Sequence, residues 1–150
     1  MRRWLGFLSL LLLAGCVTPA DAPRYARAPS PSSGFANVYF YRAGAMPALR
    51  TVSIRVDGHE ILDAPNHSYT VVQVPAGSHA FDVRWPIDTI MPSLNFLMNV
   101  EAGESIYVRV DGGIAIAAST YNTATSAHRI SPSDAESELS QCCRYMAPKQ

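Results

Sequence analysis

From residue 35 onward, apolar and polar side chains alternate, which is the period of a β-strand. Ala36, Val38 and Phe40 make one set and Asn37, Tyr39 and Tyr41 the other, so the first set is expected on a core and the second facing out. Val52, Ile54 and Val56 repeat the inward pattern, with Ser53 and Arg55 between them. Asp57-Gly58 follows at once as a hairpin turn, with Ile61-Leu62 on the returning strand. The valine-dense stretch 69–74 suits a buried strand, and Pro75-Ala76-Gly77-Ser78 reads as a turn. Alternation resumes over 79–85, where Phe81, Val83 and Trp85 share a side, and residues 86–92 then read as an exposed irregular loop. A further strand is expected over 95–100. The turn Glu101-Ala102-Gly103-Glu104 leads into 105–110, where Ile106, Val108 and Val110 oppose Tyr107 and Arg109. Asp111-Gly112-Gly113 reads as a break, and 114–119 as the last strand.

The tail has a different signature. Ser131-Pro132-Ser133-Asp134 is a helix start, with a hydroxyl or carboxylate to cap and Pro set for the first turn. Residues 135–142 are helix-compatible, with Leu139 and Cys142 on one face. About seven short strands joined by Gly and Pro turns predict an all-β fold, an antiparallel β-sandwich with a short C-terminal helix.

Ahead of this domain lies a short apolar run, 4–14, behind Arg2 and Arg3. It is too short to span a bilayer, which needs roughly 20 residues. It ends in Leu13-Ala14-Gly15-Cys16, where two small residues give a peptidase access to the backbone before the cysteine. The stretch resembles the signal sequences of bacterial lipoproteins. That resemblance implies a signal peptide over 1–15 and Cys16 as the lipidated first residue, carrying a diacylglycerol thioether and a further acyl chain such as palmitate. Two or more chains anchor stably where one binds only marginally. Val17 stands where the inner-membrane retention signal of enteric lipoproteins has Asp, so the resemblance points to the outer membrane, facing the periplasm.

Composition narrows the partners. The chain has 12 basic and 12 acidic residues, and removal of Arg2 and Arg3 with a signal peptide would leave an acidic surplus of two. No basic excess supports nucleic-acid binding. Nor does a polybasic segment stand beside Cys16 to hold anionic lipid. Residues 16–34 carry Pro19, Pro23, Pro29 and Pro31 with no apolar period. They read as a solvated tether, able to extend on the order of 55 Å, ahead of a β-domain over 35–146. With Cys16 lipidated, Cys142 and Cys143 remain. Adjacent cysteines close only a small ring, which argues against a disulfide between them. Burial as small hydrophobes, pairing with another chain and reactive chemistry stay open.

Several of these pieces, taken in order, resemble one family. They are the opening strand Phe35-Ala36-Asn37-Val38-Tyr39-Phe40-Tyr41-Arg42, the strand end Val56-Asp57-Gly58 and the turn Pro75-Ala76-Gly77-Ser78-His79. Gly103-Glu104-Ser105-Ile106-Tyr107-Val108-Arg109-Val110 and the closing Leu139-Ser140-Gln141-Cys142 complete the set. Together they are similar to the bacterial lipoproteins grouped as domain of unknown function 2846, over about 35–145. The proline turn is also similar in part to PEGA-type β-modules. Both resemblances imply a periplasmic β-domain, and neither supplies a catalytic residue.

Candidate chemistry is sparse. His59, His67, His79 and His128 form no metal-ligand pair, no nucleophile elbow or phosphate loop is present, and neither metal nor cofactor is expected. His79 reads as a strand-start residue bonding a backbone carbonyl, and Asp57 and Asp111 as turn residues. The sharper candidate is a binding face. Tyr39, Tyr41, Arg55, Arg84, Tyr107 and Arg109 all fall opposite core positions. On one sheet they would make a Tyr and Arg surface fit for a protein partner, or for an anionic glycan or lipid head. The plainer alternative is a solvated face with cross-strand pairs, such as Asp82 beside Arg55 or Arg109. The expectation is therefore a non-enzymatic, lipid-anchored envelope protein whose β-domain binds or scaffolds an envelope protein. The alternative is a recognition module for peptidoglycan or lipopolysaccharide.

Overall fold

The alternating segments pair into two sheets packed face to face. The computed structural model describes residues 20–117 and 120–149, so the signal segment 1–15 and Cys16 lie outside the described residues. In chain order the elements are β1 (Phe35–Arg42), β2 (Val52–Val56), β3 (His59–Ala64), β4 (Ser68–Pro75) and β5 (Gly77–Arg84). A single 3-10 turn, Ile87–Thr89, lies in the irregular loop. Then come β6 (Leu94–Val100), β7 (Ser105–Ala117), β8 (Thr120–Ile130), α1 (Pro132–Cys142) and β9 (Arg144–Tyr145). One sheet has the order β8-β7-β1-β4-β9 and the other β3-β2-β5-β6.

The core between the sheets is the expected inward set. Ala36, Val38 and Phe40 of β1 meet Val52, Ile54, Phe81 and Val83, with Ile106, Val108 and Val110 beside them. Phe81 stacks on Phe96 at 5.4 Å between centroids and packs against Phe40 at 5.7 Å. The sandwich departs from expectation in strand number and direction. Nine strands are described rather than about seven, and β1–β7 and β4–β9 pair parallel, so the fold is not wholly antiparallel. Asp111-Gly112-Gly113 does not break β7, which runs through it to Ala117. The long β8 carries threonines and alanines instead of alternating apolar residues. It gains its order by pairing with β7 from Tyr107↔Ile130 to Ala117↔Thr120.

Gly112 shows why the dipeptide is there. A Cβ at this position would overlap the Met46 carbonyl oxygen and sit 2.9 Å from the Trp85 ring. Glycine lets the loop between β1 and β2 lie directly on the strand.

That loop is organised by Arg42, a fully buried charge at the end of β1. Its Nη1 donates to the carbonyls of Arg50 (2.8 Å) and Ala64 (2.9 Å), and its Nη2 to those of Ala45 (3.3 Å) and Pro47 (3.2 Å). The guanidinium lies 4.8 Å over the Trp85 ring, a cation–π contact. Burial pushes its pKa down to about 10, with Asp111 acting in the opposite sense.

The outer face of the five-stranded sheet is also buried. Ser131 caps α1 by accepting from Asp134 N, and Ala135 and Leu139 project onto Tyr39, Tyr41, Tyr69 and Tyr107. Residues 23–34 are laid over the same face, so the part of the expected tether nearest the domain is docked. Ala26 N donates to Tyr69 Oη (3.2 Å), Ala28 N to Tyr39 Oη (2.8 Å) and Asn37 Nδ2 to the Pro29 carbonyl (2.8 Å). Residues 23–34 are thus packed on the β-domain that follows them. Cys142 and Cys143 are joined in a disulfide despite the small ring. Cys143 leaves the helix with extended backbone (φ −119°, ψ 146°), which turns adjacent sulfurs toward each other.

Two substitutions test this frame. Gly112→Ala is expected to cost about 2 kcal/mol by overpacking, while Gly113→Ala, with nothing within 4 Å of its Cβ position, leaves the urea midpoint nearly unchanged. Arg42→Met is expected to lose about 3 kcal/mol in the same assay, because four carbonyls lose their donor. Equal midpoints for the two glycine variants would refute the close approach of the loop.

Candidate functional site

The six candidate residues divide between the two sheets. Tyr39, Tyr41, Tyr107 and Arg109 belong to the five-stranded sheet, and Arg55 and Arg84 to the four-stranded one. All point away from the inter-sheet core as alternation requires, yet the three tyrosines are buried. The expectation that they face solvent is corrected by α1 and residues 23–34, which cover them with a second apolar layer.

Beneath that cover the rings form a packed set. Tyr39 and Tyr107 are direct neighbours in the parallel β1–β7 register and stack at 4.5 Å, while Tyr25 meets Tyr69 edge-on at 5.4 Å. The helix supplies acceptors for their hydroxyls. Tyr107 Oη donates to Glu136 Oε1 (2.7 Å) and Tyr41 Oη to Glu138 Oε2 (2.8 Å). Burial, followed by these bonds to carboxylates, pushes the Tyr41 hydroxyl well above its ordinary range. Arg109 is held from both sides, Nε on Asp111 (2.8 Å) and Nη1 on Glu138 (2.9 Å). Its contacts are those of a strut between strand and helix. Glu136 and Glu138 were not singled out by sequence reasoning; their only signal is the acidic character of the closing helix.

Arg55 and Arg84 remain on an open face. Arg55 stands opposite Asp82 in the β2–β5 register, and its Nη2 lies 3.6 Å from Glu60. Arg84 Nη2 lies 3.5 Å from Asp82. Of the anticipated cross-strand pairs, Asp82 is therefore beside Arg55 in register and contacts Arg84, while Arg109 turns to other carboxylates. Lys149 folds back over Glu60 and Asp63. Thr51, Ser53, Arg55, Glu60, Asp63, Arg84, Trp85 and Pro86 line a shallow open hollow of about 240 Å³. Basic and acidic groups interleave across it.

At the opposite end from Arg42 the turn residues form a clasp. His79 Nδ1 is 2.6 Å from Asp57 Oδ2, and Nε2 is 2.8 Å from the Pro75 carbonyl, as the strand-start reading anticipated. Asp57 Oδ1 also accepts from Ala80 N (2.9 Å). A carbonyl and a carboxylate both accept, so both ring nitrogens carry protons only in the imidazolium. The bond to Asp57 accordingly raises the His79 pKa, and the bond to His79 lowers that of Asp57. The clasp ties the β2–β3 turn to the β4–β5 turn. Among the described residues no group of three or more His, Cys, Asp or Glu side chains could hold a metal ion.

The sequence model of a family described as "Protein of unknown function (DUF2846)" matches residues 32–122. The match ends before α1, so the closing helix lies outside it. No curated protein and no solved structure matches the chain.

The clasp predicts a pH signature. A raised histidine pKa gives stability that is full below the unfolded value of 6.5 and lost as pH rises through the folded one. A lowered carboxylate pKa gives stability that is full above 3.8 and lost as pH falls through the folded value. The urea midpoint gap between wild type and His79→Ala is therefore expected to be widest between pH 3.8 and 6.5 and to shrink on either side. A gap independent of pH would show that the ring is neutral.

Proposed function

The chain belongs to the family of proteins of unknown function DUF2846, and from its surface we propose a lipid-anchored envelope protein whose β-domain binds a partner protein, without catalysis. Cys16 carries the lipid, and the outer membrane facing the periplasm is the site of action. The binding face is the outer side of the four-stranded sheet, with Arg55 and Arg84 as its cationic anchors. The observation that carries this reading is the interleaving of charge there. Each arginine has a carboxylate within 3.6 Å, Glu60 for Arg55 and Asp82 for Arg84. A surface built for the phosphates of lipopolysaccharide or another polyanion would leave its guanidinium forks free of acidic neighbours. A mixed face instead matches a protein surface of complementary mixed charge, and the open shape of the hollow suits a side chain more than an enclosed small molecule.

The test is a cross-linking pull-down from intact envelopes, comparing wild type with Arg55→Ala/Arg84→Ala. Arg109→Ala is excluded from the variant because Arg109 braces α1. The double variant is expected to fold normally and to lose about tenfold in recovery of a specific protein, the scale of a hot-spot arginine. Unchanged capture would sink the arginine face. Retention on purified cell-wall material with no protein captured would replace this reading with the glycan-binding one.

A further inference from the structure

Six large apolar side chains are strongly exposed among the described residues, and five of them sit at one end of the sandwich. These are Met46 (52%), Leu49 (71%), Ile87 (100%), Ile90 (76%) and Ile116 (78%), with Leu97 alone elsewhere. They come from three segments that the topology brings together. β1 ends at Arg42 and passes into the loop holding Met46 and Leu49. β5 ends at Arg84, opposite Ser53 at the start of β2, and passes into the loop holding Ile87 and Ile90. β7 runs parallel to β1, with Tyr41 opposite Arg109, and so projects past the end of β1 to Ile116.

The three segments brace one another. Arg50 Nε donates to Asp88 Oδ2 (2.8 Å), linking the first loop to the second with opposite charges. Thr123 and Thr125 of β8 donate to the carbonyls of Ile90 (3.0 Å) and Pro92 (2.6 Å). Trp85 Nε1 donates to Thr125 Oγ1 (2.9 Å). An exposed apolar cluster on so tied a platform is a feature of docking surfaces.

Chain geometry identifies what it docks on. Arg24 bridges to Arg144, Arg144 stands opposite Ser68 on β4, and Ser68 stands opposite Arg42. The N-terminal segment therefore joins the domain level with the end of β1, at the apolar end. From Cys16 to Arg24 there are only eight residue steps, which reach at most about 29 Å. A lipid on Cys16 thus keeps this end near the bilayer, whereas the Asp57–His79 clasp is a strand length further away.

We propose that the end of the sandwich carrying Met46, Leu49, Ile87, Ile90 and Ile116 docks on the lipid surface that holds Cys16, seating its isoleucines among the acyl chains. The proposal rests on the lipid-anchor reading. It deepens that reading by giving the domain a fixed orientation, with the turn clasp pointing away from the membrane.

The full chain, made in a bacterial envelope and purified with its lipid, would be placed in vesicles of phosphatidylcholine and phosphatidylglycerol with brominated acyl chains. Trp85 is kept because it braces Thr125, one further tryptophan is introduced at Ile87→Trp or, for the far end, Ala76→Trp, and the emission added over the parent chain is read. Bromolipid is expected to quench the Ile87→Trp emission at least twofold and to leave Ala76→Trp unchanged. Mass spectrometry of the N-terminal peptide reports the acyl groups on Cys16 in the same sample. Acylated Cys16 with no quenching at Ile87→Trp overturns the docking and spares the anchor. A Cys16 without lipid overturns both. An emission shift at Ile87→Trp in unbrominated vesicles that grows with protein density, without quenching by bromolipid, would assign the end to a second copy of the chain and overturn the proposal.

Discussion

The Arg42 guanidinium is the constraint on which one whole end of this molecule depends. It is fully buried and hydrogen-bonds to backbone carbonyls instead of a carboxylate. A buried charge left unsatisfied would be costly, so the loop after β1 has to wrap until its carbonyls converge. That wrap sets Met46 against Gly112 and places Trp85 under the cation. Trp85 in turn anchors Thr125, and through it β8 is tied to the loop after β5. Removing the charge would loosen the three segments that meet around it.

The five-stranded sheet owes its second buried face to a different solution. A sheet covered on both sides would ordinarily carry aliphatic residues on both. Here the outward set is tyrosine, which buries a ring and still presents a hydroxyl that needs a partner. Glu136 and Glu138 on α1 and the amides of Ala26 and Ala28 provide those partners. The N-terminal segment and the helix are therefore parts of the domain, fixed by polar bonds at the rim of an aromatic layer. The Cys142–Cys143 disulfide lies where that helix gives way to β9.

Strands with a two-residue period were legible because one apolar face has to meet the other sheet. β1, β2, β5 and the first half of β7 could be read this way, while β4 showed in its valines and the Asp57 turn and the helix start in their turn and cap residues. β8 was not legible. Its residues pair with β7 at the edge of the sheet and need no apolar alternation. The two glycines in β7 misled for a related reason, since Gly112 serves a close approach that involves a loop 66 positions earlier. The binding face failed in part because alternation tells which side a residue takes and not which of two sheets it joins. Nor does it tell whether another layer lies above. Arg55 and Arg84 stayed open, whereas Tyr39, Tyr41, Tyr107 and Arg109 received partners from segments far away in the chain. Alternation put Arg42 on the inward side of β1, but what satisfies its charge there had no local signal, because its carbonyl partners come from the loop after β1 and from Ala64 at the end of β3.

The family resemblance rests largely on residues whose work is structural. Asp57, Pro75 and His79, two separate motifs in the sequence, are a single clasp in space. Gly103 bonds through its amide to the Phe35 carbonyl, and Asn37 through its amide to Glu104, so two further motif segments meet beside it. Turn chemistry of this kind identifies a fold and says little about an activity. Whatever distinguishes the chain is better sought where the fold makes no demand. An interior strand needs no exposed isoleucine at its loop, and a sandwich needs no paired arginines on its open face. Those two regions adjoin, because Thr51 and Pro86, which line the arginine hollow, stand next in sequence to Arg50 and Ile87 of the apolar end. With that end on a bilayer, a protein held by Arg55 and Arg84 would sit beside the membrane surface.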